Sequence, residues 1–187
     1  MSYYIDMTLT HTTAVVIVPA TEYWPPIQAI RQRYDRQVRR WMPHITLLYP
    51  FYPREQWPAA NAALASACAQ IAPFDIALER FDCFRQPRQQ YALWLAPAPP
   101  EPLIALQTAL WHAAPECDNT RWHSHSFTPH LSVGQARGEA QLAQRLAAMR
   151  ADWQPLRLGV SNIQLIWRNE PPDDLFRVGE SISLGKL

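Results

Sequence analysis

The sequence predicts an α+β fold of two pseudo-symmetric lobes, each a small, mainly antiparallel sheet backed by helices, facing each other across a central cleft. Three observations predict it. Pro43-His44-Ile45-Thr46-Leu47 has a second copy at Pro129-His130-Leu131-Ser132-Val133. Each copy is preceded by a run with helical spacing and followed by a helix and two strand-like runs. The copies lie 86 residues apart, too far for one hairpin but suited to two similar lobes. With 187 residues, 48% of them hydrophobic, the chain can bury one sizeable core. We therefore expect a single domain over residues 1–187, its lobes roughly 1–100 and 101–187, with the terminal runs able to add strands to either sheet.

Taken in order, residues 14–18 (AVVIV) form a continuous β-branched run, the pattern of a strand buried on both faces. Residues 27–34 place Ile27, Ile30 and Tyr34 on one helical face, and Pro26 suits the first turn. The basic side of this helix continues into Arg39 and Arg40, which lie just before the first motif and could help attract phosphate. After the motif strand, residues 58–71 read as an alanine-rich helix. Residues 74–81 alternate apolar and polar, 82–88 read as a connection, and 91–95 complete a hairpin. Proline-rich 97–100 is the nearest thing to a linker. A helix at 103–111, a loop at 115–127, the second motif strand and an amphipathic helix at 139–149 follow. Runs at 156–160, 163–167 and 176–184 are expected to close the lobe as strands, with a tight connection or bulge near Gly159 and Asn162.

Charge and cysteine usage narrow the function. Seventeen basic and 16 acidic residues give a net charge of +1, which predicts no general polyelectrolyte affinity. A nucleic-acid ligand would then be a short piece or an end rather than a long duplex. Cys68, Cys83 and Cys117 are odd in number and far apart, implying neither a disulfide framework nor structural zinc. The N-terminus lacks a signal-peptide pattern and no apolar run reaches membrane-spanning length, so we expect a cytoplasmic protein with no membrane association. No obligatory protein partner is evident.

The motifs carry the chemistry. Side chains alternate along a strand, so His44 and Thr46 share one face while Ile45 and Leu47 share the other, and His130 and Ser132 repeat the arrangement. Two imidazoles with pKa values near neutrality can divide proton transfer, one neutral as base and one protonated as acid. The hydroxyls of Thr46 and Ser132 can hydrogen-bond phosphate oxygens and orient the phosphorus between the rings. Such a set can open a 2′,3′-cyclic phosphate, which needs a base for water on one side of phosphorus and an acid for the leaving alkoxide on the other. No cofactor and no metal is required. In hydrolysis His130 is taken as base and His44 as acid, the roles exchanging in reverse. Aromatic residues near the motifs that could stack on a base are Tyr49, Phe51, Phe84, Trp94, Trp122 and Phe127, with Tyr49 and Trp122 first. Arg85, Arg88 and Arg121 are candidate phosphate or ribose contacts. His123 and His125 beside His130 imitate a metal site, but the repeat explains His130 better.

On Pro43-His44-Ile45-Thr46-Leu47 and Pro129-His130-Leu131-Ser132-Val133, the chain resembles the two-histidine (2H) phosphoesterase superfamily. That superfamily includes the bacterial RNA 2′,3′-cyclic phosphodiesterases and 2′-5′ RNA ligases. The resemblance spans roughly residues 14–184. It implies a metal-independent phosphodiesterase acting on 2′,3′-cyclic phosphate or 2′-5′-linked nucleotide or RNA ends, with 2′-phosphate as product and RNA ligation as the reverse reaction. Val133-Gly134-Gln135 offers no basic residue where several ligase-like relatives carry one. The competing reading is a non-catalytic module that binds a nucleotide or RNA end in the same cleft. A third, a scaffold with purely structural motifs, predicts no phosphate affinity.

Overall fold

Proline in the first turn, where an amide N–H would find no helical partner anyway, opens α1 (Trp24–Tyr34), α2 (Trp57–Cys68) and α3 (Glu101–Ala113). These helices and α4 (Glu139–Ala151) back the strands β1 (Thr13–Ile17), β2 (Ile45–Leu48), β3 (Phe74–Gln86), β4 (Gln90–Ala98), β5 (Leu131–Arg137), β6 (Leu156–Val160), β7 (Asn162–Trp167) and β8 (Arg177–Ser183). The computed structural model describes residues 8–117 and 127–185. The eight strands form one curled antiparallel sheet in the order β6-β3-β4-β5-β2-β1-β7-β8.

The predicted α+β architecture is present, and the two motif strands are its middle. Antiparallel β2 and β5 meet through a single register pair among the described residues, Ile45 opposite Leu131. On one side of this seam stand β5, β4, β3 and β6, and on the other β2, β1, β7 and β8.

These groups do not follow the two halves of the chain. Residues 74–160 supply the first group without interruption, while the second is assembled from both ends. The tight connection expected near Gly159 and Asn162 does not make a hairpin of the 156–160 and 163–167 runs: β6 pairs with β3, and β7 pairs with β1 and β8. Only Ser161 separates β6 from β7, and the tightest common hairpin needs two loop residues, so the chain runs on into the other group.

Two other segments differ from expectation for local reasons. Residues 82–86 extend β3, because Asp82, Cys83, Phe84, Arg85 and Gln86 each find a partner on β4. The turn that remains holds Arg88 and Gln89 in the left-handed region, with φ of 59° and 54°. Pro97 and Ala98 extend β4 opposite Leu78 and Ala77 rather than forming a linker. The β5 partner has already ended at Leu95, so Pro97 meets a neighbour on one side only and its missing N–H is tolerated.

The helices cross the seam. α1, which precedes the first motif, packs on β5, and α3, which precedes the second, packs on β2. α2 packs against α3 and β8. Its buried Trp57, Ala60, Leu64 and Cys68 follow helical spacing. Fully burying a side chain such as Leu64 stabilises the fold by about 1.5–3 kcal/mol. A smaller apolar group, Ala14, Val16, Ile166 and Phe176 with Trp41 and Tyr49 against it, lies apart from the main core.

Candidate active site

The pair Ile45–Leu131 sets the geometry of both motifs. Both residues are fully buried, so the alternating neighbours turn to the other face. Continued in its antiparallel sense, this register puts His44 across from Ser132 and Thr46 across from His130.

Both strands carry a bulge one residue past the hydroxyl. Val16 pairs with Thr46 and Val15 with Leu48, leaving Leu47 extra; Trp94 pairs with Ser132 and Leu93 with Gly134, leaving Val133 extra. A bulge reverses the alternation beyond it. In β2 this returns Tyr49 to the face of Thr46, and in β5 it puts Gln135 on the face of Ser132.

The two rings are held alike. His44 Nδ1 lies 2.8 Å from the Met42 carbonyl oxygen, and His130 Nδ1 lies 2.8 Å from that of Thr128. A carbonyl only accepts, so each Nδ1 carries a proton and donates it, and each neutral ring presents Nε2 as a base. Burial lowers the pKa of both rings. That of His44 falls to about 4, with the charges of Arg31 and His130 contributing in the same direction. Without a ligand both are neutral at pH 7.

Aromatic residues fix the rings from the sides. Trp41 stacks on His44, with centroids 4.6 Å apart and planes 18° from parallel, and its indole also stacks on Phe176 at 3.7 Å. Phe84 stands nearly perpendicular to His130 at 4.9 Å and stacks on Trp94 at 4.8 Å. Trp94 Nε1 is buried without an acceptor among the described residues.

A buried ion pair joins the two motif regions. Arg31 Nη2 and Asp35 Oδ2 are 2.8 Å apart, with both side chains 2% exposed. Arg31 Nη1 donates to the Trp41 carbonyl at 2.9 Å, and Gln135 Nε2 donates to Asp35 Oδ1 at 3.0 Å. Desolvation lowers the pKa of Arg31, and the Asp35 carboxylate opposes that shift. Gln135, at the position where a basic residue was looked for, is thereby tied to α1.

The other sequence candidates divide. Tyr49 lies on the site face, edge-on to Trp41 at 5.5 Å, its hydroxyl donating to the His11 carbonyl. Phe84 is half-buried, whereas Phe51 and Phe127 belong to the core. Arg85 alternates to the side opposite Phe84, where its Nη2 is 3.9 Å from Glu139. Arg88 is exposed in the hairpin turn. The structure therefore brings neither arginine to the histidines. Arg121, Trp122, His123 and His125 lie outside the described residues. Arg39 and Arg40 both pair with Asp174, Nη2 to carboxylate oxygen at 2.5 Å in each case.

Sequence reasoning missed Trp41, Phe176, Asp174 and the Arg31–Asp35 pair. Trp41 had a signal, since it lies three residues before His44. Asp174 and Phe176 had none, being more than 120 residues from the motif they support.

A curled sheet with paired histidine-hydroxyl strands at its seam defines a two-histidine phosphoesterase architecture. Residues 19–172 match the 2′-5′ RNA ligase superfamily, and the chain belongs to that family. Candidate phosphoesterases of Halalkalibacterium halodurans and Bacillus cytotoxicus are each 25% identical over 173 residues, covering 92% of this chain and 96% of theirs. TT0787 of Thermus thermophilus shares the fold with a TM-score of 0.61 at 20% identity, over 94% of this chain and 100% of that one. Escherichia coli LigT in its apo form gives 0.58 at 18%, over 96% and 100%. No helix among the described residues is long and apolar enough to cross a membrane.

Proposed function

We propose that the protein is a metal-independent phosphodiesterase that opens 2′,3′-cyclic phosphate ends, or cleaves 2′-5′-linked ends, of nucleotides or RNA. The observation that carries this reading is the matched pair of imidazoles, each anchored at Nδ1 by a carbonyl two residues upstream. A binding module has no need of two bases held in this way on facing strands.

In hydrolysis His130 Nε2 takes a proton from water as the oxygen attacks phosphorus. The P–O3′ bond breaks on the far side, and His44 Nε2–H protonates the departing O3′, leaving a 2′-phosphate. The sum is one water added across one P–O bond. Each proton transfer contributes typically about 10²–10⁴-fold. Thr46 and Ser132 donate to the non-bridging oxygens and hold the phosphorus between the rings. His44 is taken as acid, with the stacked indole face of Trp41 offsetting part of the burial penalty on the charged imidazolium. An anionic phosphate in the cleft raises the lowered pKa values and lets that ring load its proton. With a 5′-hydroxyl in place of water, the same exchanges break P–O3′ and form a 2′-5′ linkage; run backwards, they cleave such a linkage to a cyclic phosphate and a free 5′-hydroxyl. LigT has been crystallised with 3′-AMP and with phosphate, ligands of the kind this reading assigns to the cleft. Tyr49 and Phe84 are the stacking surfaces assigned to the base.

The test is hydrolysis of nucleoside 2′,3′-cyclic phosphates in EDTA by the wild type, His44→Ala and His130→Ala, with the product identified by NMR. Turnover in EDTA that both substitutions abolish, giving the 2′-phosphate, supports the reading. Saturable binding without turnover moves the assignment to a recognition module.

A further inference from the structure

Away from the histidines, a cavity of about 380 Å³ opens along the free edge of β5, between the C-terminal end of α1, the β3–β4 hairpin and α4. Beyond Leu131, β5 has lost β2 as a neighbour, so α1 covers that edge instead. The lining is unusual for a chain of net charge +1. It holds four guanidinium groups, Arg33, Arg36, Arg137 and Arg145, and one carboxylate, Asp35, which is already bonded to Arg31. None of the four arginines has an acidic partner within 4.0 Å among the described residues. Glu139, the carboxylate next to this hairpin, accepts from the Tyr91 hydroxyl.

The cavity is continuous with the site face. Gln86 pairs with Gln90, Gln90 with Arg137, and Ala92 with both Phe84 and Gln135. Trp94, two residues from Ala92 on β4, pairs with Ser132. Alternation therefore puts Gln86, Gln90, Gln135 and Arg137 on the face that bears Phe84, Trp94 and Ser132. From Ser132 to Arg137 the strand covers about 16 Å. Guanidinium groups match phosphate oxygens, and the carboxamides of Gln86 and Gln90 match the donor and acceptor edges of bases, that of Gln135 being held by Asp35 and Arg36.

We propose that this cavity holds the strand behind the reacting end, binding the phosphodiester backbone of single-stranded RNA a few nucleotides 5′ of the terminal phosphate. A cyclic-phosphate end has only one strand attached, so the flanking nucleotides lie on that side. The inference rests on the phosphodiesterase reading for its substrate class, and it makes an oligonucleotide, rather than a mononucleotide, the preferred ligand.

The experiment compares calorimetric affinities of the full chain for a single-stranded hexaribonucleotide ending in 2′-phosphate and for the matching nucleoside 2′-phosphate. The wild type is expected to bind the hexamer at least tenfold more tightly at low salt. Exchanging both exposed arginines, Arg33→Glu with Arg137→Glu, is expected to erase that advantage and to lower the salt slope by about 1.4, two contacts at about 0.7 each. Circular dichroism checks that the variant is folded. Equal wild-type affinity for the two ligands, or a length advantage that survives the double exchange, overturns the proposal. Because the readout is binding, an arginine-dependent length advantage without turnover would keep this subsite and remove the activity proposed above. Turnover of nucleoside cyclic phosphates without a length advantage would do the reverse.

Discussion

Asp174 grips Arg40 at two points, accepting from Nε at 2.7 Å and lying 2.5 Å from Nη2, and the backbone N–H of Phe176 donates to the Arg40 carbonyl at 2.9 Å. The segment before β8 is thereby fastened beside the first motif, where Phe176 backs Trp41 and Trp41 backs His44. Asp174→Asn should slacken that stack. We expect kcat to fall about tenfold with KM less affected, and tryptophan fluorescence to shift. Unchanged kcat would show that the clamp does not position His44. Hydrogen bonds from Arg39 and Arg40 hold the Asp174 carboxyl below the usual carboxylate range, so its stabilising effect is complete above the unfolded pKa and is lost only as pH falls through the folded one.

Arg31→Gln should be costly. It leaves Asp35 buried and unpaired, a change that typically destabilises by about 3–5 kcal/mol. The apolar double variant Arg31→Met with Asp35→Leu should recover much of that in urea denaturation. If the double variant is no more stable than the single one, the carboxylate is not the source of the loss.

Thr46→Ala and Ser132→Ala each remove one donor to an anion. A hydrogen bond to a charged group contributes about 1.5–3 kcal/mol, so inhibition by inorganic phosphate should weaken about 10–100-fold in each, with thermal stability little changed. Wild-type inhibition constants in both would take the hydroxyls out of the site.

The lowered histidine pKa values give two pH effects of opposite sign. In the free protein His44 titrates near 4 against about 6.5 when unfolded, so the unfolded chain binds more protons between these values. Stability should accordingly decline as pH drops from 6.5 towards 4, and His44→Asn should flatten the decline. Phosphate does the opposite by raising the imidazole pKa, so its affinity should rise from about pH 7.5 to about 5.5 with proton uptake on binding. Calorimetry in buffers of different ionisation enthalpy measures that uptake.

Gly134→Ala should destabilise by about 1–3 kcal/mol, as overpacking does. A Cβ there would come within 2.7 Å of Tyr34 Cβ and 2.9 Å of its backbone oxygen, so α1 must move off β5. The same shift would disturb Asp35 and Gln135, and the denaturant midpoint and kcat should fall together.

The candidate site was legible where its information is local. Pro-His-x-hydroxyl written twice singled out two candidate histidines and two candidate hydroxyls, and strand alternation over two residues put each pair on one face. Strand pairing is not local, and beyond the β3–β4 hairpin, which forms as expected, little of it was legible. Nothing within Leu156 to Trp167 tells a hairpin from a straight crossing except the single residue Ser161. Asp82 to Gln86 looked like a connection because its paired strand stands outside the window, and the proline-rich end of β4 looked like a linker for the same reason. The bulges at Leu47 and Val133 return Tyr49 and Gln135 to the site face, yet both bulged residues resemble ordinary apolar members of their strands. Asp174 and Phe176 reach His44 only through the folded chain.

The crossing at Ser161 also orders events in time. β1 is flanked by β2 on one edge and β7 on the other. One edge can be satisfied once residue 48 has emerged; the second must wait until residue 167, with all of β3 to β6 made in between. Throughout that interval the nascent chain carries Ala14-Val15-Val16-Ile17 with an open row of backbone donors and acceptors, a template for pairing with a neighbouring chain. The strand that lies next to the first motif strand in the finished protein is thus an edge that needs shielding while the protein is being made.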